Sequence, residues 1–172
     1  MDSLHQIIKQ YHLLTDWYLS VLDGIADEDG KKTISGHTNS LEWIAGHLIT
    51  GRYRNMGRLG IQAEPYKYHD RFVNPSMPPP NAIAFDTSIN YASLTECAAQ
   101  WTSYSEIFMS ELKKADETIL KKELPFSVPM GGNTVEDALA FIVIHESYHI
   151  GQMSIIRNFL GYTSMQLSLR KK

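Results

Sequence analysis

Apolar residues recur along four stretches of the chain at alternating steps of three and four, the period of an α-helix with one buried face. Leu4, Ile7, Tyr11, Leu14, Tyr18 and Val21 form the first seam and predict a helix over residues 3–22, closed by Gly24 and the polar run Asp27-Glu28-Asp29-Gly30. Asn39, with Glu42 three residues on, reads as the N-cap of a second helix over residues 39–59, ahead of Gly60. Ser93-Leu94-Thr95-Glu96 has capping-box spacing and opens a third over residues 93–115, with Leu94, Cys97, Trp101, Tyr104 and Phe108 as its seam. Thr134-Val135-Glu136-Asp137 is an acidic variant of that box, and the fourth predicted helix runs from there to residue 160, before Gly161.

Residues 61–91 contain Pro65, Pro75, Pro78, Pro79 and Pro80, which exclude a regular helix from their middle. A connection this long in a small domain is usually functional or crosses the bundle. Its Tyr66, Tyr68, His69 and Arg71 are placed to cover an open end. A shorter Pro/Gly loop, residues 124–133, joins the last two helices. No period-two apolar run demands a sheet. The expected class is all-α: a four-helix bundle with a long Pro-rich connection between helices two and three, residues 1–172 forming one domain.

Composition narrows the function classes. The formal net charge of -3, with no basic block except Arg170, Lys171 and Lys172, argues against nucleic-acid binding. No run approaches 18 apolar residues, so no membrane span is expected. The start of the chain lacks the basic and apolar regions of a signal peptide. The single cysteine, Cys97, excludes an intramolecular disulfide, and a reducing cytoplasm is the expected compartment.

The chemistry concentrates in the fourth helix. Its seam reads Val135, Ala138, Ile142, His145, His149, Gln152, Ile156 and Phe159, so polar side chains stand where the pattern asks for core residues. Buried polar groups need partners. Two imidazoles one turn apart can share one ion, which satisfies both. His145-Glu146-Ser147-Tyr148-His149 also matches H-E-x-x-H, where the glutamate of a zincin protease serves as base. That reading needs a downstream third ligand. No Asp or Glu follows His149, and residues 152 and 155 are Gln and Ile. A third ligand must come from upstream. His5 and His12 fall off the first seam, and His37 and His69 sit in loops. His47 lies among Trp43, Ile44 and Leu48 on the core side of helix two and is the best candidate. Three histidines leave coordination positions open, as in catalytic sites.

Several neighbours are weaker candidates. Gln152 either orients a ligating imidazole or bonds a buried carbonyl. Glu146 is a candidate base or orienting group, although a surface ion pair is the commoner fate of a helical Glu. Trp43, Trp101, Tyr104 and Tyr148 are candidates for a pocket wall, and Cys97 reads as an inert buried thiol. Arg52, Arg54 and Arg58 are candidates for binding an anionic substrate, although a solvated helix face is the better reading of them.

Asn39-Ser40-Leu41-Glu42-Trp43-Ile44-Ala45-Gly46-His47-Leu48 and His145-Glu146-Ser147-Tyr148-His149-Ile150-Gly151-Gln152 resemble the signatures of the DinB/YfiT-like superfamily. The resemblance implies a four-helix bundle, often dimeric. It also implies that His47, His145 and His149 ligate zinc, nickel or a similar divalent ion. Relatives include thiol S-transferases that use bacillithiol or mycothiol, and a mycothiol-dependent isomerase. Ile150 stands where many relatives have Arg, which weakens the transfer of substrate contacts and leaves the implied ligands untouched. The expected function is that of a metal-dependent enzyme acting on a small molecule, with a low-molecular-weight thiol involved. The alternatives are a non-catalytic metal- or small-molecule-binding stress protein, with a closed site and a fourth protein ligand, a metal-dependent hydrolase, and a plain structural bundle whose histidines are core polar groups and which carries no metal.

Overall fold

The computed structural model describes residues 2–36, 38–77 and 81–168. His37, Pro78, Pro79, Pro80 and the basic tail Arg170, Lys171 and Lys172 lie outside them. Four long helices form the frame: α1 (Asp2–Leu22), α2 (Leu41–Arg58), α3 (Leu94–Leu112) and α5 (Val135–Phe159), with a one-turn helix α4 (Glu117–Leu120) between the last two. The all-α expectation holds. Among the described residues the extended pairing amounts to two isolated bridges, Val73 with Ala82 and Glu123 with Thr134.

The cap residues explain the helix starts. Ser93 and Thr134 each accept a backbone N–H bond, while Glu96 and Asp137 return the bond to the cap backbone. The second helix departs from expectation. Its cap is Ser40, which accepts from the Trp43 N–H, and not Asn39. Glu42 is released from capping and packs, buried, against Gly30, where any β-carbon would meet its side chain. α3 stops at Leu112, short of the predicted residue 115, and Glu117–Leu120, between that predicted end and the predicted loop, form α4, capped by Asp116.

The side-chain bonds fix the helix directions. Ser3 bonds Glu136, Tyr11 bonds the Leu139 carbonyl, and Arg157 bonds the Val21 carbonyl, so α1 and α5 run parallel. Tyr11 meets Phe108 and Tyr18 stacks on Trp101, so α3 runs antiparallel to α1. Each helix packs on two others: α1 on α3 and α5, α2 on α3 and α5. Chain neighbours α1 and α2 are therefore diagonal, and so are α3 and α5. α2 and α3 lie side by side and parallel, since Glu42 and Leu94, at the starts of the two helices, both pack on Gly30, while Arg52 further along α2 reaches Ser105 further along α3. Two parallel neighbours need a connection that returns the length of the bundle. That is the task of the Pro-rich segment, and it explains its length.

One buried ion pair ties the frame together. Arg52 on α2 is 0% exposed and Glu146 on α5 1%. Arg52 Nε and Nη2 donate to Glu146 Oε1 at 3.1 Å and Oε2 at 2.5 Å. Its Nη1 donates to Thr15 Oγ1 of α1 and Ser105 Oγ of α3, both at 2.9 Å, and its guanidinium lies 3.8 Å from the centre of the Trp101 ring. A single side chain thus bonds to all three other long helices. The expected solvated position of Arg52 and the surface pairing of Glu146 are both overturned.

Glu42 makes the fold sensitive to alkaline pH. Burial, chiefly, with Asp27 and Glu96 acting in the same sense and Lys31 opposing, pushes its carboxyl up to about 7. The folded protein therefore holds this proton more tightly than the unfolded chain does. The resulting stability is full below the ordinary carboxylate range and is lost as pH rises through 7. Glu42→Gln keeps the neutral form at every pH. Urea unfolding should show the variant more stable than the parent at pH 8, by about 1 kcal/mol after allowance for screening by the open groove beside it. The difference should vanish near pH 5.

Candidate metal centre

α2 and α5 run antiparallel and bring His47 opposite the His145–His149 pair. The three ring centroids form a near-equilateral triangle: 4.5 Å between His145 and His149, and 5.0 Å from His47 to each. One nitrogen from each ring lies within 4.8 Å of the others. His47 Nε2 and His145 Nε2 are 3.1 Å apart, close to the ~3.3 Å that two ligands ~2.05 Å from a tetrahedral ion would keep. Among the described residues no fourth His, Cys, Asp or Glu joins the group.

Local contacts aim the rings. Trp43, one turn before His47, stacks on it at 4.9 Å with 6° between planes. His149 Nδ1 lies 2.7 Å from Gln152 Oε1, an acceptor, so Nδ1 carries the proton and Nε2 keeps its lone pair. Gln152 Nε2 donates in turn to the Tyr148 hydroxyl at 3.1 Å. His145 Nδ1 is buried without a hydrogen-bond partner. This is poor packing for a satisfied core histidine.

The rings are electrically suited to a cation. Burial, then the neighbouring imidazoles and Arg54, pulls His47 down to about 3; burial and His149 pull His145 down to about 4. Burial also lowers His149, against the bond from Gln152. Neutral imidazole is the ligating form, so near neutral pH no proton has to leave before an ion binds.

A cavity of about 270 Å³ opens from the His47–His145 edge. Its wall is largely apolar, with Phe72 and Val73 from the Pro-rich connection, Phe126 and Val128 from the α4–α5 loop, and Phe141 and Ile142 from α5. His47, Thr50, Gly51, Arg54 and Arg58 follow one another along the facing stripe of α2. Gly46, on another face of that helix, lets the tip of the Phe72 ring approach the backbone, because a β-carbon there would collide with its Cζ.

A family model described as the DinB superfamily matches residues 10–153. The chain belongs to the DinB superfamily. Among solved structures it resembles YfiT from Bacillus subtilis, described as a probable metal-dependent hydrolase with an unusual four-helix bundle topology. The TM-score is 0.61 at 15% identity, over 93% of this chain and 89% of YfiT, a likeness that carries the fold alone. None of the curated proteins matches.

In this DinB chain the remaining candidates separate cleanly. Gln152 bonds the His149 ring and not a buried carbonyl. Glu146 points into the bundle to Arg52, away from the three rings, so H-E-x-x-H here marks two imidazoles and a structural carboxylate. Burial pushes that carboxyl upward against the pull of Arg52. The fourth-helix seam is rotated accordingly. Glu146, Ile150, Met153 and Arg157 face the core, His145 and His149 flank it, and Phe159 is exposed. None of Trp43, Trp101, Tyr104 and Tyr148 lines the cavity. Trp101 and Tyr104 are core residues, and Tyr148 is exposed. Tyr66, Tyr68, His69 and Arg71 also stay out of it; Phe72, Val73, Asn81 and Ala82 supply that wall instead. Cys97 is buried, and burial pushes its thiol up to about 12, as an inert thiol requires. No helix among the described residues is long and apolar enough to cross a membrane.

Proposed function

We propose that this chain is a metal-dependent enzyme of one domain. His47, His145 and His149 hold a divalent ion, zinc or nickel, beside a cavity that admits a small organic substrate, with a low-molecular-weight thiol as co-substrate. The observation that carries the reading is the meeting of three neutral imidazoles at the edge of an apolar cavity, with no fourth protein ligand among the described residues. A non-catalytic storage site would call for the opposite arrangement, closed and fully ligated.

A divalent ion so held supplies Lewis acidity, lowering the pKa of a coordinated thiol or water. The chain's own residues orient and enclose. Trp43 and Gln152 fix two of the rings, and the phenylalanines exclude water. Among the described cavity residues there is no Asp, Glu, Lys, Cys or Tyr to act as a general base. A thiol, with an ordinary pKa of ~8.5, needs the least help to lose its proton. Thiol transfer is therefore the reaction we favour. With an aryl chloride, a carbon–sulfur bond forms, the carbon–chlorine bond breaks, chloride leaves, and the thiol proton passes to solvent. Hydrolysis is the second reading, favoured by the description of YfiT. Metal-loaded protein should be given 1-chloro-2,4-dinitrobenzene and a p-nitrophenyl ester, each with and without cysteine or glutathione. Thiol-dependent turnover that disappears in His47→Ala supports the proposal; ester cleavage without thiol transfers it to hydrolysis.

Gln152→Ala should leave the fold intact and weaken zinc binding about 10- to 100-fold, because His149 loses the bond that fixes its tautomer. Competition with a chromogenic chelator measures this, and unchanged affinity would remove Gln152 from the site.

We further propose a homodimer in a reducing cytoplasm. Ile144, Tyr148, Ile155 and Phe159, each 57–64% exposed, form with Gly151 one stripe along the outer face of α5. A continuous apolar stripe on a surface helix fits a self-complementary contact with a second copy. Ile155→Glu should convert the dimer to a monomer in sedimentation, and an unchanged mass would exclude this face.

A further inference from the structure

Arg54 and Arg58 are one turn apart on the cavity stripe of α2. Both are half-buried, and neither forms an ion pair among the described residues. Among the described residues no Asp or Glu lines the cavity. Two guanidiniums thus face a largely apolar hollow with their charges uncompensated, and like charges at this spacing weaken a helix. Burial lowers the pKa of both, and Arg54 adds to the effect on Arg58. They are also held in place. Arg54 Nη1 donates to Asn81 Oδ1 at 3.0 Å, and Asn81 is fixed by the Asn74 carbonyl at 3.1 Å. Arg58 bonds Asn55 Oδ1 and lies over the Phe126 ring. Each retains free N–H donors. Backbone positions seven and eleven residues beyond His47 stand ~10 and ~16 Å along the axis, and side chains lean back toward the helix start.

We propose that the cavity takes a small organic carboxylate with an apolar body: Arg54 and Arg58 hold the carboxylate, the phenylalanines hold the body, and the far end meets the three imidazoles. This rests on the metal-enzyme reading only for what happens at the far end. Charged bonds to a preorganised arginine pair are among the strongest a ligand can find. A volume of about 270 Å³ lies just below the ~300 to ~1,000 Å³ of pockets for drug-sized ligands, which suits a smaller acid.

The test compares 3-phenylpropionate with its neutral amide by calorimetry, on zinc-loaded and metal-stripped protein. We expect the acid to bind at least tenfold more tightly than the amide in both forms. In Arg54→Gln/Arg58→Gln that preference should disappear while zinc content is unchanged. Gly51→Leu supplies a second arm. A β-carbon at Gly51 meets open space, so the larger side chain fills the cavity without disturbing the core, and acid binding should be lost. Equal binding of acid and amide to the parent overturns the proposal. So does an acid preference that survives the double variant, which would seat the carboxylate elsewhere. A protein that binds no zinc yet prefers the acid would end the metal reading and leave this one standing.

Discussion

Glu146→Ala is expected to lower stability by about 3–5 kcal/mol, because it leaves the Arg52 guanidinium charged, fully buried and without its carboxylate. Thr15 and Ser105 still accept from Nη1, but a hydroxyl does not balance a charge. Arg52→Met should cost a comparable amount, stranding the carboxylate instead. The double variant Arg52→Met/Glu146→Ala should lose less than the sum, since no unpaired charge remains. Urea unfolding of the three variants beside the parent measures the coupling. A loss below about 1 kcal/mol in Glu146→Ala would mean that the pair is solvated, as surface pairs are. The same variant settles the zincin comparison, because its zinc content should stay at the parent's level. Loss of zinc with the fold intact would return Glu146 to the metal centre.

That pair also marks where sequence reading stopped. The four long helices were legible because their seams keep one period over five or more turns, and because Ser93 and Thr134 carry their caps in the sequence. His145 and His149 were legible from spacing, since i and i+4 put two rings on one face. His47 needed elimination and the family resemblance, because one histidine on an apolar face says nothing alone about its partner. Arg52 and Glu146 were misplaced through a rule that is right on average: long charged side chains face water. A second reading of the same helices would have found them. Leu41, Ala45, Leu48, Arg52, Asn55 and Leu59 keep helical spacing on α2, and all are buried. Val135, Leu139, Ile142, Glu146, Ile150 and Met153 do so on α5. Each seam is interrupted by one charge, the two are opposite, and the helices are adjacent. The cavity wall was not legible, because Phe72 and Phe126 sit in irregular segments where no period announces a facing direction.

His145→Ala should abolish stoichiometric zinc binding, and its effect on heat stability should depend on whether metal is present. At free zinc a thousandfold above its dissociation constant, the bound ion stabilises the folded parent by about 4 kcal/mol. For a domain of this size that is a rise in Tm of about 8–16 °C over the metal-stripped protein. The variant should show no such rise, because two imidazoles cannot replace three at one ion. Stripped of metal, parent and variant should melt close together. His145 Nδ1 has no hydrogen bond to lose, and removing one of three crowded, desolvated rings relieves as much as it forfeits. His47→Ala and His149→Ala should likewise lose the zinc and the rise in Tm, which separates a shared ion from three independent packing roles. A variant that kept both the zinc and the rise in Tm would remove that histidine from the ligand set. If all three variants kept them, the triangle would be no metal centre, and the cavity beside it would need another chemistry.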